Sequence, residues 1–365
     1  MLTPAIPLYI THLGATESQV GVILTSFFIS SIAARMLVNV LLGKIGKKRL
    51  LIAGVALNTI VMLLYGLSDS LWSFATLRAI QGLGFGTTTT LTATMVADLL
   101  PDTRRGEGVG YFTMGTVMAV AIAPPVSLHI IGVIGFRAAF FAASGISLLA
   151  TIIASMTEEP LVASVARAES TVKSFFQWRN LFHRNLILPA ALLIFFGISR
   201  STDSNYIAIF AEARNLDQLS WYYVIQTATM FCTRFFVGRL SDRKGRNYVI
   251  IPGGIAMLAL NLTLSFTNTN ALMLLSAVFC GLGIGILAPA LQLWMFSRVE
   301  PEKRNIASAA YFNFQDIGIS IGAFSLGFIA EHAGYPSMFM TAACAALLFI
   351  IGYITVGREK KTAQQ

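Results

Sequence analysis

The stretch 248–267 carries no charged residue, and comparable apolar runs recur along the whole 365-residue chain. About 20 apolar residues in a helix, at 1.5 Å each, match the ~30 Å hydrocarbon layer of a bilayer. Inside lipid every backbone N–H and C=O must find its partner within the protein, which leaves helices or closed barrels. The two-residue alternation of a barrel strand is not seen. The chain therefore reads as an all-α membrane protein, with spans near 18–42, 50–67, 71–98, 108–130, 135–156, 186–210, 219–237, 248–267, 270–298, 306–330 and 336–356. An apolar stub at 1–10 precedes these eleven helices. With 55% hydrophobic and 12% charged residues, the composition does not suit a water-soluble domain.

A net charge of +9 could suggest nucleic acid, but the placement of the charges argues otherwise. Lys and Arg gather between apolar runs at 44–49, 104–105, 167–184, 239–246, 298–304 and 358–361, which together hold 20 of the 26. The opposite loops carry only Arg137 and Arg214. By the positive-inside rule the crowded side is cytoplasmic, which puts the C-terminus on the inner face of the cell's inner membrane. The connection 157–185 is long and charged where the others are short. It divides a helical half at 1–156 from a second at 186–357, and 358–365 is a cytoplasmic tail.

The halves are copies of each other. Gly238-Arg239-Leu240-Ser241-Asp242-Arg243-Lys244-Gly245-Arg246 has a worn twin 199 residues upstream, Asn39-Val40-Leu41-Leu42-Gly43-Lys44-Ile45-Gly46-Lys47. Arg35 and Arg234 each precede the second glycine, Gly46 or Gly245, by eleven residues. Gly82, Gly84 and Gly86 match Gly281, Gly283 and Gly285 at the same offset. Tyr111-Phe112 matches Tyr311-Phe312 at 200, and Gly135-Phe136 matches Gly334-Tyr335 at 199. Matched helices entering from one side imply a parallel repeat about an axis along the membrane normal. In this register Met1 stands opposite residue 200, so about fifteen residues of a first helix are missing. Met1 is expected to be a truncated or misassigned start, and a native N-terminus mapped to Met1 by mass spectrometry would overturn this.

Gly238, Leu240, Asp242, Arg243, Gly245 and Arg246 fit, position for position, a loop pattern of the major facilitator superfamily, which the chain resembles over essentially its full length. The resemblance implies two six-helix halves related by pseudo-twofold symmetry, with the first helix truncated here. It also implies transport by alternating access, and monomers are usual for this fold. The family places the loop between the second and third helices and again between the eighth and ninth. There a carboxylate near a helix N-terminus or an arginine can latch two helices in one state. In the first copy Asn39 replaces the leading glycine and Gly43 the aspartate, so that latch is expected to be weak or differently made. A plain basic anchor is the other reading of that copy.

Leu77-Arg78-Ala79-Ile80-Gln81-Gly82-Leu83-Gly84 resembles the family's fourth-helix motif, whose arginine belongs to proton coupling. Arg78 has Ala277 as its repeat partner, so symmetry does not demand it. An arginine bonded to backbone carbonyls for structural reasons is the alternative. The fifth helix keeps only a worn form of the antiporter motif, Ala119, Ala123, Pro124, Ser127 and Leu128. The alanines preserve a face for close helix approach, and Pro124 with Pro125 is expected to break the hydrogen-bond ladder. The missing glycines weaken the export assignment. The segments 97–108 and 311–318 resemble bacterial drug and metabolite efflux members.

Two carboxylates, Asp203 and Asp316, are buried by position. Asp203 follows Arg200 by three residues on one helical face, so the two can pair. Asp316 lies within about three turns of the cytoplasmic end and reads as a proton carrier, a partner of Arg234 or a helix cap. Arg35, Arg78, Arg200 and Arg234 each need a partner, water or an interface inside the membrane. Tyr9, Tyr206, Tyr222, Tyr223, Gln226, Met230, Gln292, Trp294 and Asn313 could line a substrate cavity or simply pack. Gly82 and Gly84 read as helix-packing positions, like Ala123 and Pro124.

Cys232, Cys280 and Cys344 all lie in spans, and no CxxC, HExxH or phosphate-binding loop occurs, so no disulfide, metal or cofactor is expected. No catalytic constellation is visible, and all four histidines lie near helix ends, which disfavours an enzyme. A sensor or scaffold would need an extramembrane domain or a signalling tail, and neither is seen. The leading expectation is a proton-driven exporter of small amphipathic molecules, whether drug, metabolite or siderophore-like. Its partners are its substrate, protons and the lipid bilayer. An uptake symporter or facilitator of the same fold is the alternative.

Overall fold

The computed structural model describes residues 2–99, 105–157, 186–300 and 304–357. In chain order its helices are α1 (Leu2–His12), α2 (Glu17–Ile45), α3 (Lys47–Tyr65), α4 (Leu71–Leu99), α5 (Arg105–Val133) and α6 (Phe136–Met156). They continue as α7 (Ile187–Ser201), a π-helical turn (Thr202–Tyr206), α8 (Ile207–Ala213), α9 (Leu219–Lys244), α10 (Asn247–Ser265), α11 (Asn270–Phe296) and α12 (Arg304–Gly352), which ends in a second π turn (Tyr353–Gly357). Among the described residues, seven segments are long and apolar enough to cross a bilayer. Ile29, Ile60, Leu149, Ile153, Leu293 and Phe324 stand exposed along them. Such outward apolar faces suit lipid rather than water as the solvent.

The chain divides into two compact units, Met1–Ala15 with Val22–Asn180, and Thr16–Gly21 with Leu181–Gln365. Both repeat copies of the basic loop turn on one glycine. Gly46 has φ 86° and Gly245 φ 88°, a left-handed conformation that residues with a Cβ rarely adopt. The reversal expected to begin at 238 is delayed, because α9 stays helical to Lys244. Basic residues in a last turn favour the negative end of the helix dipole, so they need not stop the helix. Gly238, Asp242 and Arg243 fall in those final turns, and their side-chain positions lie outside the described residues.

One further expectation is corrected. α5 runs unbroken through Pro124 and Pro125. Each proline removes one backbone donor, yet long membrane helices tolerate the loss when the freed carbonyls find other partners. The two helices expected at 306–330 and 336–356 are both present within α12, where they meet at a kink at Gly334, φ 78°. The repeat-matched Gly135, φ 108°, separates α5 from α6 in the same way.

Within each unit glycines bring helices together. A Cβ on Gly84 would stand 2.8 Å from Asn58 Oδ1, and one on Gly283 would stand 2.6 Å from Met257 Sδ. Gly82 and Gly86 of α4 face the backbone of α2 at Phe27 and Ser31, while Gly281 and Gly285 of α11 face α9 at Gln226 and Met230. In the second unit a Cβ on Gly318 would lie 2.9 Å from Ile194 Cα, and one on Gly322 would lie 2.6 Å from Ser201 Cβ. Small residues at these crossings let backbones approach, which is how helices associate where lipid offers no hydrophobic drive.

Candidate functional site

In the second unit the run Ser199-Arg200-Ser201-Thr202-Asp203-Ser204-Asn205 interrupts an otherwise apolar helix. Short polar side chains compete with the backbone for hydrogen bonds, and here they hold the ladder out of α register. Ile207 N–H reaches back five residues to Thr202 O, which defines the π turn. Asn261 of α10 pins it: Thr202 Oγ1 donates to Asn261 Oδ1 at 2.8 Å, and Asn261 Nδ2 donates to Ser199 Oγ at 2.9 Å. Ser201 Oγ donates to the Ile319 carbonyl of α12 at 3.3 Å and accepts from Asn205 Nδ2 at 2.9 Å.

The turn projects Asp203 into a polar nest on α9 and α11. Tyr222 OH donates to Asp203 Oδ1 and Gln226 Nε2 to Asp203 Oδ2, both at 2.8 Å. Gln226 Nε2 also lies 3.1 Å from the thiol of Cys280. Asp203 is 5% exposed and Tyr222 fully buried. No hydrogen bond or ion pair joins Asp203 to Arg200 among the described residues, and each carboxylate oxygen instead accepts from a neutral donor. Among the described residues no ion pair reaches Asp203. π turns cluster at functional sites because the extra residue re-aims a side chain.

The first unit has a different centre. Arg78 of α4 is buried, and its Nη1 donates to Gln81 Oε1 at 2.6 Å. Tyr65 OH donates to the same oxygen at 2.9 Å. The Phe27 ring of α2 lies 3.9 Å from the guanidinium carbon, in cation–π contact. Arg78 thus makes no bond to a backbone carbonyl among the described residues, unlike a purely structural arginine.

The remaining candidates scatter. Asp316, Asn313 and Gln226 are buried, Arg35, Arg200, Met230 and Gln292 are half-buried, and Arg234 is exposed. Tyr206 is fully buried and donates to the Ala323 carbonyl, so its phenol serves the α12 contact. Trp294 lies at the far end of α11 beneath Arg246, whose guanidinium carbon is 4.6 Å from the ring. Arg246 also donates to Tyr353 OH and to the Gly357 carbonyl, each at 3.2 Å, which ties the starts and ends of α10, α11 and α12 together. Of the packing candidates, Gly82 and Gly84 sit at helix crossings, Ala123 is half-buried and Pro124 buried. Among the described residues no group of three His, Cys, Asp or Glu is placed to hold a metal ion.

Among the participants that escaped the sequence reading are Gln81 as the partner of Arg78 and Cys280 beside Gln226. Gln81 was findable, since i,i+3 spacing on one helix face puts it within reach of Arg78. Cys280 was not, because its contact is made between helices.

The description of the Major Facilitator Superfamily matches residues 1–323 and 203–365. The chain belongs to the major facilitator superfamily. It is 25% identical to an MFS-type transporter of Methanocaldococcus jannaschii, over 98% of this chain and 94% of that one. It is 20% identical to the staphylopine export protein of Staphylococcus aureus, over 96% and 90% of the two chains. With the multidrug resistance protein MdtG of Escherichia fergusonii it shares 22% identity, over 96% and 88%. Among solved structures, the nucleoside transporter NupG superposes with a TM-score of 0.75 at 14% identity, covering 99% of this chain and 95% of that one. The xylose transporter XylE from E. coli gives 0.71 at 16%, covering 94% and 89%. The fold is the major facilitator fold, and the protein is a multi-pass membrane transporter, not an enzyme.

Proposed function

We propose that this transporter exports small amphipathic molecules by alternating access, driven by inward movement of protons, with Asp203 as the proton carrier. The observation that carries the reading is the Asp203 nest: a buried carboxylate held by Tyr222 and Gln226, with no ion pair to it among the described residues. An ionisable side chain in a membrane span marks a substrate or proton path by default. Neutral donors orient the carboxyl while leaving it free to hold or release a proton, which a bound arginine would prevent. Asp316, also buried, is the second candidate carrier. Export is supported by relatives named for multidrug resistance and staphylopine export.

The basic loop at Gly245 and Arg246 serves as the conformational latch in this reading, with the cytoplasm on that side as the charge distribution implies. Uptake by symport or facilitation is the second reading, favoured by Ala123, Ser127 and Leu128 where the antiporter pattern has other residues. Everted vesicles loaded with the protein, offered anionic, neutral and cationic dyes under an inward-acid pH gradient, separate the two. Export predicts accumulation of at least one dye in everted vesicles with an acid lumen, and uptake by symport predicts it only in right-side-out ones with the gradient reversed to acid outside. Asp203→Asn should reduce gradient-driven accumulation at least tenfold while sparing counterflow. Wild-type transport indifferent to the gradient would remove proton coupling, and an unaffected Asp203→Asn would remove the carrier role alone.

A further inference from the structure

A buried carboxyl that carries a proton has to be held in both of its states, and the two states need different partners. The ionised form accepts at both oxygens. Once protonated, one oxygen becomes an O–H that must donate, and a donor facing it sets hydrogen against hydrogen. At Asp203 both facing groups donate: Tyr222 OH to Oδ1 and Gln226 Nε2 to Oδ2, each at 2.8 Å. A phenol takes either role by swinging its O–H. A primary amide does so only by turning end for end, which exchanges NH2 for C=O in a group of almost unchanged shape.

The neighbour of that amide suits such a turn. Gln226 Nε2 lies 3.1 Å from Cys280 Sγ as well as against Asp203. Cys280 is fully buried, and it meets Gln226 because the next residue, Gly281, brings α11 against the Gln226 carbonyl of α9, where a Cβ would strike it. A thiol is a weak acceptor and a weak donor at once. It takes an N–H from the amide in the observed orientation and can give its S–H to the amide oxygen in the reverse one. At the Asp203 end both arrangements are complete. The ionised carboxylate accepts from Nε2 while sulfur accepts the second amide hydrogen; protonated at Oδ2, the carboxyl donates to Oε1, which also receives the S–H, and Tyr222 keeps Oδ1. Among the described residues, the titratable groups within electrostatic reach of Asp203 are Tyr222 and Tyr223 of α9, Cys280 of α11 and Arg200 on its own helix, the last shared with Tyr311 of α12. From α10 the polar neighbour is neutral Asn261, which holds the π turn. We propose that the Gln226 amide turns end for end with each protonation of Asp203, and that Cys280 is the positioning residue that supports it in both orientations. This rests on Asp203 as the proton carrier and adds the two residues that accommodate its change of state.

Infrared difference spectroscopy tests it, on the full chain in lipid nanodiscs titrated without any gradient. The thiol S–H stretch absorbs in a window clear of other protein bands, and alanine at the other free thiols, Cys232 and Cys344, leaves Cys280 alone in it. As the pH falls, a protonated-carboxyl C=O band is expected to grow and the S–H band to shift with the same midpoint. Asp203→Asn should lose both changes. In vesicles Cys280→Ala should lower gradient-driven transport about threefold or more, the worth of one hydrogen bond, and Cys280→Ser, whose hydroxyl also donates and accepts, should restore it. A thiol that only fills space predicts a static S–H band and no advantage of serine over alanine. A carboxyl band that titrates beside a static S–H band overturns the turning amide and leaves the carrier in place. The absence of any carboxyl band that depends on Asp203 removes the carrier, and the inference with it. An S–H shift that persists in Asp203→Asn, or serine no better than alanine, overturns the role of Cys280. The wild-type thiol spectrum gives an answer even if Cys280→Ala does not fold.

Discussion

Where α4 meets α2 in the first unit and α11 meets α9 in the second, matched glycines face matched backbone: Gly82 against Phe27, and Gly281 against Gln226, each pair 199 residues apart. One turn on, the repeat stops being a copy. Phe27, Arg78 and Gln81 of the first unit stand opposite Gln226, Ala277 and Cys280 of the second. One unit buries a cation over an aromatic ring, with a neutral amide at its side. The other buries a carboxylate held by a phenol and an amide, and its Asp203 matches Pro4. Helix spacing is set by backbone approach, which tolerates no side chain and so survives in both copies. The polar centre is a matter of single side chains, which can differ without disturbing that spacing. Where the copies agree they describe the scaffold, and where they differ they describe the work.

The largest expected effect tests the agreement. Gly82→Val and Gly281→Val each push a branched side chain into a facing backbone that cannot move aside. Each should lower stability by about 3 kcal/mol or more, the upper range for overpacking, and sharply reduce folded yield. Thermal unfolding in nanodiscs reads both, and a large loss in one beside a mild loss in the other would break the equivalence of the two crossings. Ala277→Arg tests the difference instead, by copying the first unit's charge into the second. Ala277 is fully buried, so about 1–3 kcal/mol of overpacking is expected. Gln226 occupies the place of the Phe27 ring, so the new guanidinium should reach the Asp203 nest and hold its carboxylate ionised. Gradient-driven transport should fall at least tenfold in vesicles. Unchanged transport by a folded Ala277→Arg would mean that the matched positions do not share a geometry.

How much of this was legible beforehand follows the same division. The glycine spacing, the helix lengths and the turns at Gly46 and Gly245 could be read because each depends on local geometry repeated twice. The π turn could not, since counting in steps of 3.6 assumes the register that Thr202–Tyr206 departs from. Its cause, the polar run from Ser199 to Asn205, is plain in the sequence, but the partner that makes it cohere is Asn261 on another helix. For Trp294 and Tyr206 residue type leaves cavity lining and packing both open, and only tertiary contacts pair them with Arg246 and the Ala323 carbonyl. Asn261→Leu should therefore loosen the second unit alone. It removes two buried side-chain bonds at the π turn and orphans Ser199 Oγ, for a loss of about 2 kcal/mol. The matched residue, Met62, has no such duty, so Met62→Leu should leave stability nearly unchanged. Equal losses for the two variants would contradict the assignment of the turn to Asn261.

The smallest expected effect lies at the loops that precede α4 and α11. Asp69 and Asn268 are matched positions, and each receives an arginine, but from different places in the fold. Arg137 at the start of α6 reaches Asp69 Oδ2 at 2.7 Å, whereas Arg214 after α8 reaches Asn268 Oδ1 at 2.7 Å. The contact is kept while the partner and the charge are not. Asp69 and Arg137 are 67% and 62% exposed, so water screens the pair and ordering two side chains offsets most of its attraction. Asp69→Asn should therefore shift the melting temperature by no more than about 1 °C, and Asn268→Asp, which lends the second unit the first unit's charge, should do no more in the opposite direction. Raising the salt concentration should shrink both shifts together. A loss of several degrees in Asp69→Asn that survives high salt would show that the loop is held by the geometry of the bond rather than by its charge, which would make the neutral Asn268 contact the better model for both units.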